Sequence, residues 1–86
     1  MQVIKINHYG EIPNYYTGGI EWDNGTKWWY QDGLLHRVDG PAIEYVSGER
    51  IWYLNGLIYS RQEWFEKLTP EQKMKAIWSL DSFKTY

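Results

Sequence analysis

The chain repeats itself once with a fixed period of 23 residues, and this internal repeat limits its fold more than any other feature. Residues 20–38 align with residues 43–61, and seven of the 19 aligned positions are identical. Ordinary composition would give only about one or two identities by chance over such a window. The identical positions are Ile20/Ile43, Glu21/Glu44, Gly25/Gly48, Trp29/Trp52, Tyr30/Tyr53, Gly33/Gly56 and Leu34/Leu57. A repeat of this length predicts units that each bury an apolar face against a neighbour.

Length and composition indicate one small domain and exclude several functional classes. The 86 residues include no cysteine, which excludes disulfides, thiolate metal sites and a cysteine nucleophile. Nine basic and eleven acidic residues are interleaved, and without a basic stripe we expect no general nucleic-acid binding. The N-terminal segment does not resemble a signal peptide, and no apolar run is long enough to span a bilayer. We therefore expect a soluble cytoplasmic protein that does not associate with membranes.

Each repeat has the pattern of two short alternating strands joined by a glycine-containing turn. Such dipeptides favour two-residue type I′ hairpin turns, because glycine tolerates the positive φ that these turns need. The four turn dipeptides are Asn24-Gly25, Asp32-Gly33, Ser47-Gly48 and Asn55-Gly56. Residues 1–17 align as a degenerate half-repeat, and 18–59 form the two full repeats. The sequence therefore predicts an antiparallel β-meander of about two and a half 23-residue hairpin repeats.

The last third of the chain changes to a helical pattern. Ser60 and Thr69 each begin a capping box, and the apolar residues that follow have helical spacing. We predict two short helices at 61–68 and 70–80 and a tail at 81–86, so that residues 60–86 cap the sheet. Trp64 and Trp78 are predicted to be core anchors of these helices. The predicted fold class is α+β, a single domain.

Alternation along the strands places aromatic residues on both faces of the predicted sheet. Trp29 recurs as Trp52, and Lys27 recurs as Arg50. We predict that these four side chains form a row of indoles and cations on one face, suited to contact with a partner. The predicted core set on the opposite face is Trp28, Tyr30, Ile51 and Tyr53. The alternative is that a thin sheet needs bulky aromatics on both faces simply to bury enough area.

The segment that links the two repeats has a distinctive sequence, His36-Arg37-Val38-Asp39-Gly40-Pro41-Ala42. Asp39-Gly40-Pro41 has turn chemistry, and Arg37 is predicted to stack on a tryptophan of the adjoining repeat and to pair with Asp39 or Glu44. Together with the preceding Trp-Tyr-x-x-Gly, this string resembles variants of the membrane occupation and recognition nexus (MORN) repeat. The resemblance covers about residues 18–61 and includes the unit length.

Proteins with such repeats are mostly binding and assembly modules, and the resemblance is strongest to short phage-encoded members. It implies a non-enzymatic inhibitor of a host defence protein, acting in the host cytoplasm by direct protein contact. The residues predicted to make this contact are Lys27, Trp29, Trp52, Arg50, His36, Arg37 and Asp39. Two alternatives stay open: a protein that sequesters a nucleotide messenger between aromatic rings, and a virion or scaffold component. A homodimer is compatible with all three.

Catalytic patterns are weak in this sequence. The only histidines are His8 and His36, and their spacing does not fit a metal site, so no metal or other cofactor is expected. His36 and Asp39 could act on a nearby serine, but no nucleophile elbow or oxyanion-hole motif accompanies them. Glu21 and Glu44 are predicted to be cross-strand partners of basic residues and not a catalytic carboxylate pair. We therefore expect no enzymatic activity.

Overall fold

A computed structural model describes residues 2–80 as a small mixed α+β domain, so the tail predicted at 81–86 lies outside the described residues. The sheet has seven strands and is followed by two helices. The strands are β1 (Val3–Ile6), β2 (Gly18–Trp22), β3 (Lys27–Gln31), β4 (Leu34–Leu35), β5 (Ile43–Glu44), β6 (Arg50–Leu54) and β7 (Leu57–Tyr59). The helices are α1 (Arg61–Glu66) and α2 (Pro70–Leu80).

The strand order is β1-β2-β3-β5-β6-β7, with β4 paired to the end of β3, and all pairs except one are antiparallel. The exception is β1, which runs parallel to β2 with Ile4 opposite Ile20. The predicted all-antiparallel meander is therefore wrong at its N-terminal end. A parallel pair needs a crossover, and residues 7–17, which include a 3-10 turn at Tyr9–Glu11, supply it.

Strands β2, β3 and β4 have counterparts in β5, β6 and β7, because β3 at 27–31 and β6 at 50–54 differ by 23 positions. The turns after β3 and β6 have positive φ at both central residues, Asp32-Gly33 and Asn55-Gly56, which confirms two type I′ turns. The turn after β2 differs from the predicted type. Trp22 pairs with Thr26, so the loop has three residues, and only Gly25 takes a positive φ.

The sheet has two faces, and each is covered over a different half. We call one the crossover face, because residues 7–17 pack on it over β1–β3, where Ile12 and Tyr16 contact the cluster of Ile6, Ile20 and Tyr30. The other is the helix face, because α1 packs on it over β6 and β7 and α2 packs against α1. The register places Trp29 and Trp52 together on the helix face, through Ala42 between them.

Trp64 of α1 is the centre of the second core, on the helix face. Its side chain is fully buried, its ring centroid lies 4.6 Å from that of Trp52, and Leu54, Leu68 and Ala76 complete the cluster. The prediction that Trp64 is a core anchor is confirmed. The capping boxes that begin both helices are also confirmed, with reciprocal side-chain hydrogen bonds at Ser60 and Thr69.

Trp78 is not a core residue, and that prediction is wrong. Its side chain is 75% exposed, and Met74 and Ile77 are exposed beside it. The reason is that α2 packs on the domain through the small Ala76, so the larger apolar stripe of the helix faces away. The first helix also ends at Glu66, two residues earlier than predicted.

Candidate functional site

The charged side chains of the linker between the repeats bond to one another and to neighbouring residues of the domain. The Arg37 side chain donates to Asp39 Oδ1 (2.8 Å), to the Pro41 carbonyl oxygen (3.1 Å) and to Glu44 Oε2 (3.2 Å). Its guanidinium carbon lies 4.5 Å from the centroid of the Trp29 ring. The predicted stacking is confirmed, and Arg37 pairs with both of the carboxylates that were predicted as alternative partners. Arg37 thus ties the linker to both repeats, and little of its side chain remains accessible.

His36 caps the second type I′ turn. The backbone N–H of Asn55 donates to His36 Nδ1 at 3.0 Å, so this ring nitrogen must be unprotonated when the bond is present. Burial lowers the pKa of His36, and the nearby carboxylate of Asp32 opposes this effect only in part. His36 therefore joins the two repeats as a neutral hydrogen-bond acceptor.

Acidification is expected to destabilise the domain through His36. Because the folded-state pKa is below the ordinary value of 6.5, the stabilisation is present above that pH and is lost as the pH falls below it. We expect the free energy of unfolding to decrease by about 1 kcal/mol as His36 gains a proton and the bond to Asn55 breaks. Urea titrations at a series of pH values measure this. The His36→Gln variant should lose most of the slope, whereas His8→Gln should retain it; equal slopes in all three proteins would contradict the prediction.

Trp29 and Trp52 lie on the same face but do not form an exposed row. Trp52 is only 7% exposed, because α1 covers it. Trp29 is half-buried: its ring lies so close to Gly19 that a Cβ there would come within 2.6 Å of it, and Arg37 stacks on it. Both indoles therefore contribute to the packing of the domain. Trp52 has almost no exposed surface that a partner could contact.

A row of alternating charges crosses the helix face from β1 to β6. Consecutive strands place opposite charges against each other in the order Lys5, Glu21, Lys27, Glu44, Arg50. Opposite charges in directly opposed positions of two strands attract each other. The register places Glu21 opposite Lys27 and Glu44 opposite Arg50, so the prediction that each glutamate lies across from a basic residue is confirmed. Lys27 and Arg50 are members of this charge row, and their predicted role as partner contacts stays a prediction.

The crossover face carries an aromatic groove that the sequence did not reveal. Trp22 and Trp28 meet edge to face, with ring centroids 5.0 Å apart and planes at 68°, and Tyr45 lies across from them. The groove, with a volume of about 300 Å³, is lined by Trp22, Asp23, Asn24, Thr26, Trp28 and Tyr45. We call it the Trp22 groove. The groove exists because the small, buried Thr26 lies between the large rings of the adjacent strands and leaves space between them.

Strand register explains why these side chains converge. Trp22 pairs with Thr26 at the end of the first hairpin, and Lys27 pairs with Glu44 of the second repeat. Extending that register by one residue brings Thr26 opposite Tyr45. Trp22 and Tyr45 are equivalent residues of the two repeats, so the aromatic character of both positions was the available signal in the sequence.

The crossover face also differs from the helix face in charge. All the basic residues of the described strands, Lys5, Lys27 and Arg50, belong to the charge row on the helix face. Residues 7–17 and the loop beside the groove contain no lysine or arginine and contribute Glu11 and Asp23. In the second repeat Glu49 pairs with Tyr45, just as Thr26 pairs with Trp22 in the first. The aromatic surface therefore has a mainly acidic margin, in which Lys5 of the edge strand stands beside Glu11 and Asp23.

The aromatic surface continues from the groove towards the N-terminal crossover. The Tyr9 ring meets Trp28 edge to face at 6.2 Å, and the Tyr30 hydroxyl lies close to that of Tyr9. Burial, and then the neighbouring Tyr9, raise the pKa of Tyr30 to about 12, so this hydroxyl stays neutral at physiological pH. The indole Nε1 atoms of Trp22 and Trp28 are buried with no hydrogen-bond partner.

Residues 2–80 contain no group of three or more side chains placed to hold a metal ion. None of the helices within this range combines the length and the apolar character needed to cross a bilayer. Comparison of the chain with protein-family models, with curated proteins and with solved structures found no match.

Proposed function

We propose that this protein is a non-enzymatic binding protein that acts by direct protein–protein contact through the aromatic crossover face. The supporting observation is that neither helix nor the crossover, within residues 2–80, joins a core cluster on this face over β6 and β7, where the register places Ile51, Tyr53 and Ile58 on the same side as the Trp22 groove. Ile58 is 62% exposed, and the first two are half-buried. Tryptophan and tyrosine dominate the energetics of protein interfaces, because large rigid rings bury much area at small entropic cost.

The proposal differs from the sequence-based expectation in the choice of face. The predicted contact residues His36, Arg37 and Asp39 are engaged in bonds between the repeats, and Trp52 is covered by α1. In the part of the chain that the structure describes, neither helix packs on the crossover face over β6 and β7, where Tyr53 is half-buried and Ile58 is exposed. In this proposal the chain is a MORN-variant protein of about two and a half repeats. Its partner is a host defence protein that it inhibits, as the likeness to short phage-encoded proteins suggests.

A photo-crosslinking experiment tests which face binds. A benzoyl-phenylalanine placed at Tyr45 should capture one protein in stoichiometric yield from a host lysate, because this residue borders the proposed interface. The same group at Lys27, on the helix face, is the matched control and should capture much less of it. Equal capture from both positions, or capture from Lys27 alone, would contradict the choice of the crossover face.

Nucleotide sequestration is a second candidate, because the aromatic groove could stack on a base. The acidic margin of the crossover face disfavours a phosphate there, since like charges repel. Tryptophan fluorescence titrated with a panel of nucleotides distinguishes the two functions. Saturable quenching at micromolar concentration would support sequestration. Assembly through a sheet edge, the third candidate, would appear as concentration-dependent oligomers in analytical ultracentrifugation.

A further inference from the structure

We propose that the Trp22 groove accepts the guanidinium group of an arginine side chain presented by the partner protein. This inference rests on the proposed function, because it names the chemistry of the group that the aromatic face recognises. It follows from the shape of the groove, from the charge around it and from an arginine site that the same domain contains.

The shape of the groove suits a flat group on a flexible stem. Thr26 forms a small floor, while Trp22 and Tyr45 stand on neighbouring strands on either side of it. Trp28 closes one end by its edge-to-face contact with Trp22. A planar group that enters between the walls can lie against an indole face, and a methylene stem can pack along the same rings.

The charge around the groove selects a cation. Asp23 lines the groove itself, and Glu49 lies next to Tyr45 on the same face. Lys27 and Arg50 are on the opposite face, in the charge row. Lys5 belongs to the same row but lies on the edge strand β1, where it lines a neighbouring cavity with Glu11, Glu21 and Asp23, so that three carboxylates face one cation there. Indole faces attract cations through their quadrupole, and the carboxylate adds an electrostatic term of the same sign. An anionic group would meet repulsion from Asp23 at the same place.

The linker shows how this domain holds a guanidinium. Arg37 lies over the Trp29 ring at 4.5 Å, while the carboxylates of Asp39 and Glu44 accept hydrogen bonds from its nitrogens. The Trp22 groove presents the same combination, an indole beside a carboxylate. Arginine is preferred over lysine at such sites because its planar fork stacks and donates at the same time.

The test uses a short peptide and the isolated protein, so it needs no knowledge of the partner. An acetylated and amidated Gly-Arg-Gly peptide is titrated into ¹⁵N-labelled protein, and the indole N–H resonances are followed. We expect saturable shifts confined to Trp22 and Trp28, with Trp64 and Trp78 unchanged. The isosteric citrulline peptide, which lacks the charge, should produce no saturable shift up to about 10 mM, a range that detects sites of millimolar affinity.

Two variants and a control connect the binding to the groove. Asp23→Asn removes the carboxylate and Tyr45→Ala removes a wall of the groove. Each should lower the affinity for the arginine peptide about three- to tenfold. Tyr15→Ala, at a residue that is 83% exposed outside the groove, should leave the affinity unchanged. Unchanged Trp64 resonances show that each variant is folded. Equal binding of the citrulline peptide, no saturable shift with arginine, or unaltered affinity in both groove variants would each overturn the inference.

Failure of this inference and failure of the proposed function are distinguishable. Capture of a protein from Tyr45 without arginine binding would leave the interface standing and overturn the assignment of its ligand chemistry. Arginine binding in the groove without any protein captured on the crossover face would support the site and overturn the proposed function.

Discussion

Replacing Trp64 by alanine is expected to lower the free energy of unfolding by about 4 kcal/mol, the usual cost of removing a large buried aromatic side chain. The side chain is fully buried, and its loss would leave a cavity against Trp52, Leu54 and Leu68. It would also remove the hydrogen bond from Trp64 Nε1 to the Arg37 carbonyl oxygen, which is 2.7 Å long. A domain of this size has a total stability of only about 5–10 kcal/mol, so the variant should be marginal.

Chemical denaturation followed by circular dichroism measures this loss, and two further variants separate its causes. Trp64→Phe keeps an aromatic ring but cannot donate to Arg37, and it should cost about 1–2 kcal/mol. Trp78→Ala is the matched control, because the same residue type on the neighbouring helix is exposed, and it should change stability by less than about 0.5 kcal/mol. A larger loss from Trp78→Ala than from Trp64→Ala would show that α2, and not α1, holds the helices on the sheet.

Local features of the fold were predictable wherever a short segment determines its own conformation. Asp32-Gly33 and Asn55-Gly56 form the predicted type I′ turns, because each dipeptide accepts positive φ at both positions. Ser60 begins α1 with the predicted capping box. The first hairpin loop has one residue more than predicted, because Trp22 pairs with Thr26 and not with a nearer residue, and that pairing depends on packing across the sheet.

The direction of β1 and the sheet face that the helices cover were not predictable, because both depend on contacts between distant segments. Nothing in the pattern of Val3–Ile6 distinguishes a parallel from an antiparallel partner; the crossover at 7–17 decides it. Helical periodicity in α2 identified Met74, Ile77 and Trp78 as one stripe but could not reveal that the helix docks through Ala76. With aromatic residues on both sheet faces, the sequence also could not determine which face the helices cover.

In the candidate site too, contacts within a short segment were predictable and contacts between distant segments were not. The chemistry of the linker was predictable, since a guanidinium, two carboxylates and an indole within a short stretch favour one another. The Trp22 groove was not, because it requires Thr26 of one repeat to stand opposite Tyr45 of the next. Only the register between repeats brings them together. The repeat thus uses one face to hold itself together by charge and stacking, and leaves aromatic surface on the other.

Replacing Arg37 by alanine is the second change with a large expected effect, because this side chain makes two contacts within the linker and one with each of the two repeats. The variant would lose the hydrogen bonds to Asp39, Pro41 and Glu44 and the stacking on Trp29, and the side chain is only 17% exposed. We expect a loss of about 2–4 kcal/mol, less than for a fully buried ion pair, because Glu44 still lies opposite Lys27 and Arg50 of the charge row.

Three measurements test this account of Arg37. Arg37→Lys keeps the charge without the planar fork and should recover part of the loss, leaving a cost of about 1–2 kcal/mol. A double-mutant cycle with Glu44→Gln should give a coupling free energy of about 1 kcal/mol, since the two side chains are in contact. Lys75→Ala is the control for removing a cation from an exposed ion pair, 3.8 Å from Glu71, and should cost less than about 0.5 kcal/mol. A loss from Arg37→Ala as small as that of Lys75→Ala would contradict this account, because the Arg37 side chain would then contribute no more than an exposed ion pair.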